Sequence, residues 1–196
     1  MNTTSNCAKY HSKNIFVQIG LRRFFGNVVQ ALKGIQFNSV IDVGCGEGFV
    51  GSHLRKVYKN KFFLKGVDKN YEALQIADSV EVFDGLVQAD IYQLPFKDVS
   101  FDLVVCTEVL EHLLNVESAL QELKRISRKY CLLSVPAENY LRFCRILGLK
   151  NVACLGRHPE HLQSFSRSFF CSIVNRYFNI QSIRVSFPWI IILGSK

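Results

Sequence analysis

The sequence predicts an α/β fold, a mostly parallel sheet with helices on both faces, and three observations carry this. From Val40 onward, short apolar runs alternate with stretches whose apolar residues recur every three or four positions, as strands interleaved with amphipathic helices do. The first run, "SVIDVG", opens into a glycine turn that leads toward a helix. The last two runs, "IQSIRVSF" and "WIIILG", are separated by Pro188 and predict a closing hairpin.

Before the first strand, Leu21, Phe24, Phe25, Val28 and Leu32 follow helical spacing. After the glycines, a helix from about Glu47 is expected to bury Val50, Leu54 and Val57. "FFLKGVD" is the second strand, and Asn70 is a suitable N-cap for a helix that buries Ala73, Leu74 and Ala77. "LVQAD" reads as a short third strand, and "FDLVVCTE" as a fourth, covered on both faces. Val116, Ala119, Leu120, Leu123 and Ile126 form the next helical stripe, and "YCLLSVP" is the fifth strand. A helix near Tyr140 to Leu147, an irregular stretch to His161 and a helix through Phe169, Ile173 and Tyr177 precede the hairpin.

The chain has 196 residues, is 48% hydrophobic and contains sixteen Phe, enough for one well-filled core. One domain over 1–196 is expected, with an N-terminal arm and helix over 1–36 and a lid or acceptor segment over 137–166. No run is long enough for a membrane span, and the polar start lacks the apolar centre of a secretory signal. Seven scattered cysteines without a CxxC pair argue against a disulfide framework or a structural zinc site, so a reducing cytoplasmic setting is expected. Charge is uneven. Residues 1–41 hold five Lys/Arg and no acid, residues 42–138 eleven against fifteen, and residues 139–196 eight against one. Basic flanks around an acidic middle favour an anionic partner, or else form an ordinary solvated surface.

Ligands of an open parallel sheet collect beyond the carboxyl ends of its strands. Here those positions hold Gly44, Gly46 and Gly48, then Asp68, Asp90, Thr107 to Glu111, and Pro136. The G-x-G-x-G spacing permits close approach to the backbone. Asp68 stands where a carboxylate accepts bonds from ribose hydroxyls. Glu47, near the helix start, would repel a pyrophosphate. The expected ligand carries a ribose and no phosphate.

These residues resemble the class I S-adenosylmethionine-dependent methyltransferases, within them the type 11 group. The resemblance rests on "VIDVGCGEG", "GVD", "ADIYQLPFKDVSFDLVVCTEVLEHL" and "GRHPEHLQSFS", in that order, and covers about Val40 to Lys196. It implies a Rossmann-like seven-stranded sheet, mostly parallel with the last strand antiparallel, and S-adenosyl-L-methionine as cofactor. It also implies that Gly44, Cys45, Gly46 and Gly48 wrap the methionine part, with Asp42 holding the loop or a water near the amino group. Asp68 would bind the ribose. Asp90, the Ile91 backbone and Lys69 or Val67 would surround the adenine, and Thr107 would line the methionine end.

Methyl transfer from a sulfonium needs chiefly positioning and exclusion of water, and a hydroxyl acceptor benefits from a base. The candidates are His158, His161 and Glu108, with His112 as a competitor and His53 read as structural. His161 is equally suited to packing under the following helix. If "EVLEHL" is helical, Glu108, Glu111 and His112 share a face and, with His161, match a metal-binding pattern of some RNA 2′-O-methyltransferases and quinone O-methyltransferases. Against this, E-H-L is frequent in type 11 sequences without a metal, and no RNA-binding appendage is recognisable. Arg142, Arg145, Lys150, Arg157 and Arg167, interleaved with Phe143, Leu147, Leu149 and Leu155, suit a small-molecule or lipid-like, anionic acceptor, and equally a lid helix. A cofactor-binding partner protein without turnover is the third expectation.

Overall fold

The computed structural model describes residues 14–59, 61–137 and 162–196. Its elements are α1 (Ile15–Ala31), β1 (Ser39–Val43), α2 (Phe49–Tyr58), β2 (Phe63–Asp68), α3 (Tyr71–Ser79), β3 (Gly85–Gln88), β4 (Phe101–Thr107), α4 (Val116–Ile126), β5 (Ser127–Pro136), α5 (Arg167–Asn175), β6 (Asn179–Ser186) and β7 (Trp189–Ser195). The seven strands form one sheet in the order β3-β2-β1-β4-β5-β7-β6. β1 to β5 pair in parallel, and β7 runs antiparallel to both β5 and β6. The expected α/β class, strand count, antiparallel last strand and closing hairpin are all present. Chain order reverses beside β1, whose neighbours are β2 and β4, so a crevice opens past its carboxyl end.

Alternation along each strand feeds two cores. Val40, Leu64, Leu103, Val105, Leu132 and Ile191 pack with α1 and α2 on one face. Ile41, Val43, Val104, Cys106, Leu133 and Ile192 pack with α4 and α5 on the other. A strand covered on both sides must be apolar throughout, and every residue of β4 except Asp102 and Thr107 is; all seven are buried. Asp102 is tolerated at that depth because its carboxylate accepts bonds from the Asn38 and Ser39 N–H groups, at 2.9 and 3.3 Å, and from Arg128 at 3.1 Å.

Asn70 caps α3 as expected, its Oδ1 accepting from the Glu72 and Ala73 N–H groups, and the predicted α4 stripe is buried at all five positions. Two helical faces differ from expectation. Val57 is 40% exposed because α2 turns its Val50–Gly51–Leu54 face inward. In α5 the buried face is Phe170, Ile173 and Val174, which leaves Phe169 outward and places Tyr177 beyond the helix end. The expected helix near Tyr140 to Leu147 lies outside the described residues, as do Arg142, Phe143, Arg145, Leu149, Lys150, Leu155 and Arg157. No described helix is long and apolar enough to cross a membrane.

Candidate active site

β1 ends at Val43, and the chain then turns through Gly44, Gly46 and Gly48 at φ of +74°, +52° and +84°, angles that side chains make costly. The turn is tied down by its own amides. Gly44 and Cys45 N–H both donate to the Val67 carbonyl, at 2.7 and 3.0 Å. Gly46 N–H donates to Asp68 Oδ2 at 2.8 Å, while Asp68 Oδ1 accepts from Asn70 N–H at 2.8 Å. Asp68 therefore fixes the loop and the next helix entry together, and each of its oxygens keeps a second lone pair for a ligand. A Cβ on Gly44 would collide with Val109 Cγ2, and one on Gly48 would lie 2.8 Å from Phe83 Cε2.

The surroundings are acidic. Asp42, at the end of β1, is 1% exposed, and its Oδ2 accepts no hydrogen bond among the described residues. Burial, then the neighbouring Asp68 charge, push its pKa up to about 7, partly offset by a backbone hydrogen bond from Gly51. Glu47 is buried beside the loop. Cys45 is buried too, and burial with the adjacent carboxylates raises its thiol pKa far above the ordinary range, so it stands as a neutral wall residue and no nucleophile.

Along the same edge, Lys69 Nζ pairs with Asp90 Oδ2 at 3.1 Å, and Asp90 Oδ1 accepts from Tyr92 N–H at 3.1 Å. The Tyr92 amide, and then Lys69, hold Asp90 below its usual pKa against the opposing effect of burial. Ile91 points its side chain into the α4 core, leaving its backbone at the edge. Thr107 is buried at the end of β4, opposite Ser134.

Glu108 follows at φ +59°, its N–H donating to the Ser134 carbonyl at 3.1 Å. The helix on which the metal pattern of Glu108, Glu111 and His112 is conditional does not form. A single 3₁₀ turn spans Leu110–His112, and the left-handed backbone at Glu108 takes that residue off its face. Among the described residues no group of three or more His, Cys, Asp or Glu is placed to hold a metal. Glu111 instead anchors the returning chain: its carbonyl accepts from Leu162 and Gln163 N–H at 2.9 and 3.0 Å. His158 and His161 lie outside the described residues. His53, on α2, stacks its ring on Phe25 of α1 at 4.3 Å.

Sequence reasoning missed Val109 and Phe83. One Phe83 ring occupies the space that Cβ atoms on Gly48, Gly51 and Gly66 would enter, at 2.8, 2.5 and 2.9 Å. The available signal was glycine inside a helix and inside a strand, where it is disfavoured unless something packs close.

Residues 41–134 match the family model described as "Methyltransferase domain". Over that span the chain is similar to this family. Norajmaline N-methyltransferase of Rauvolfia serpentina is 30% identical over 95 residues, 45% of this chain and 32% of that relative. Human mitochondrial arginine-hydroxylase NDUFAF5 is 34% identical over 90 residues, 46% of this chain and 26% of its own length. The chain thus spans about a third or less of these relatives. Magnesium protoporphyrin IX methyltransferase from Synechocystis PCC 6803, solved with bound SAH, superposes with a TM-score of 0.72 at 16% identity, covering 99% of this chain and 95% of that one. The matched span runs from β1 to β5 and contains every described candidate residue of the cofactor set.

Proposed function

We propose that the protein is an S-adenosyl-L-methionine-dependent methyltransferase acting on a small-molecule or lipid-like acceptor. The observation that carries this is the pairing of a positive-φ glycine loop with two carboxylates, Asp68 bonded to the loop and Asp42 buried beneath it with an unpartnered oxygen. A cradle built from backbone and acids repels phosphate and suits a cationic nucleoside. In this reading Gly44, Cys45, Gly46 and Gly48 close on the methionine moiety, Asp42 compensates its ammonium, and Asp68 takes the ribose hydroxyls. Asp90, Lys69 and the Ile91 backbone flank the base, and Thr107 lines the far end.

When bound, the cofactor supplies an electrophilic methyl on a sulfonium, and its in-line transfer to an acceptor nucleophile leaves a neutral thioether. The protein's part is to orient the acceptor and keep water out. For a hydroxyl acceptor, Glu108, His158 or His161 takes the released proton. The segment over 137–166 is assigned to acceptor selection.

Titration calorimetry with S-adenosyl-L-methionine, with Asp68→Ala alongside, tests the cofactor; no heat and no thermal shift in the wild type would sink the proposal. Tritium transfer to a panel of amine, hydroxyl and isoprenoid acceptors then tests turnover. The relative named as an arginine hydroxylase makes that second step essential, because cofactor binding without methyl transfer would favour a binding partner or another reaction.

A further inference from the structure

α1 presents two faces of opposite character. Val17, Gly20, Leu21, Phe24 and Val28 are buried against the sheet. The outward stripe, spaced i, i+1, i+4, i+7, i+8, holds Ile15, Phe16, Ile19, Arg22 and Arg23. Its three apolar members are 59%, 62% and 41% exposed, an unusual concentration of bare hydrophobic surface for one and a half turns. Both arginines are exposed on the next turn. The adjoining groove between α1 and α2, about 530 Å³, is lined among others by Arg22, Phe25, Phe49, His53 and Lys56 and contains no acid. No Asp or Glu occurs anywhere from residue 1 to 41.

We propose that this stripe docks the protein onto an anionic membrane surface, with Ile15, Phe16 and Ile19 entering the acyl boundary and Arg22 and Arg23 meeting lipid phosphates. The order along the helix, apolar tip then paired cations, is what an interfacial helix needs to span the step from acyl chain to headgroup. The charge complements an anionic surface, and Lys56 extends the cationic zone across the groove.

Orientation adds weight. A Cβ on Gly20 would lie 3.7 Å from the Trp189 ring, and Trp189 pairs with Pro136, the last residue of β5. The first turns of α1 therefore stand at the carboxyl edge of the parallel strands, the edge that carries Gly44 to Gly48. Docking turns that edge toward the bilayer. The inference requires nothing of the reaction and stands apart from the cofactor assignment.

Flotation of the full chain with phosphatidylcholine vesicles, with and without phosphatidylglycerol, tests it. Binding is expected only to the anionic vesicles and is expected to weaken with salt. Arg22→Gln with Arg23→Gln should lower the partition coefficient about 25-fold, roughly fivefold per cation. Phe16→Ser with Ile19→Ser should lower it at least about tenfold. All four side chains are exposed, so thermal midpoints should match the wild type; if the serine variant fails to fold, the charge variant carries the test. Equal binding to both vesicle types, variants that bind like the wild type, or an α1-dependent dimer in sedimentation with no vesicle binding would each overturn the proposal.

Discussion

Asp42→Asn should make the protein more stable above neutral pH while weakening its hold on the cofactor. Asp42 is 1% exposed, lies beside the Asp68 charge, and has an oxygen with no donor. Its pKa rises from an ordinary 3.8 to about 7. Each pKa unit is worth about 1.4 kcal/mol, so the folded state forfeits about 4 kcal/mol once Asp42 ionises. The sign follows from proton counting. Between those two values the unfolded chain has released the proton and the folded one has kept it, so stability falls as pH rises through the window and levels off above it. Asparagine cannot ionise and escapes the fall. Asp90, Asp102 and Glu122 are shifted the other way, so their contribution is lost only as pH drops below the ordinary carboxylate range, outside this window. Urea unfolding followed by circular dichroism, at about pH 5 and about pH 8, should show the variant gaining on the wild type by about 2.6 kcal/mol between the two, the rest of the loss having occurred below about pH 5. Calorimetry with S-adenosylhomocysteine, which keeps the ammonium, should show weaker binding by the variant. Parallel stability curves for the two proteins would refute the reasoning.

Three further outcomes follow from the packing. Gly44→Ala puts a methyl against Val109 at φ +74° and should cost about 1–3 kcal/mol of stability and abolish the cofactor's thermal shift, with partial recovery in Gly44→Ala/Val109→Ala. Gly51→Ala improves helix propensity yet drives a Cβ into Phe83, so thermal melts should show net loss of about 1–3 kcal/mol, relieved when Phe83 is replaced by Leu; a stabilised single variant would contradict the contact. Arg125 joins Glu122, Asp98 and the Leu94 and Phe96 carbonyls, so Arg125→Met should lower stability by about 1–3 kcal/mol in urea titrations, with methyl transfer per folded molecule unchanged.

The sheet was legible because each strand's covering is written into its own residues. β4 is a continuous apolar run, α4 a clean stripe, and the Pro188 break marks the hairpin, so local pattern and global topology agree. The glycine loop was legible for the same reason: its positive-φ turn calls for glycines, and Gly46 meeting Asp68 across 22 positions follows from β1 and β2 being neighbours. Where the outcome depends on a meeting between distant side chains, the sequence was silent. Nothing near Phe83 says that it will cover Gly48, Gly51 and Gly66, and no period of three or four reveals that Glu108 leaves the helical path. That second point bears directly on chemistry. The E-x-x-E-H spacing holds a metal only if one helix presents all its members, and a left-handed residue at its first position separates Glu108 from Glu111 and His112. A spacing motif is thus a statement about backbone as much as about ligands, and here the backbone takes Glu108 out of the helical path just after β4, its N–H bonded to the Ser134 carbonyl, and leaves the Glu111 carbonyl to fasten the returning chain at Leu162.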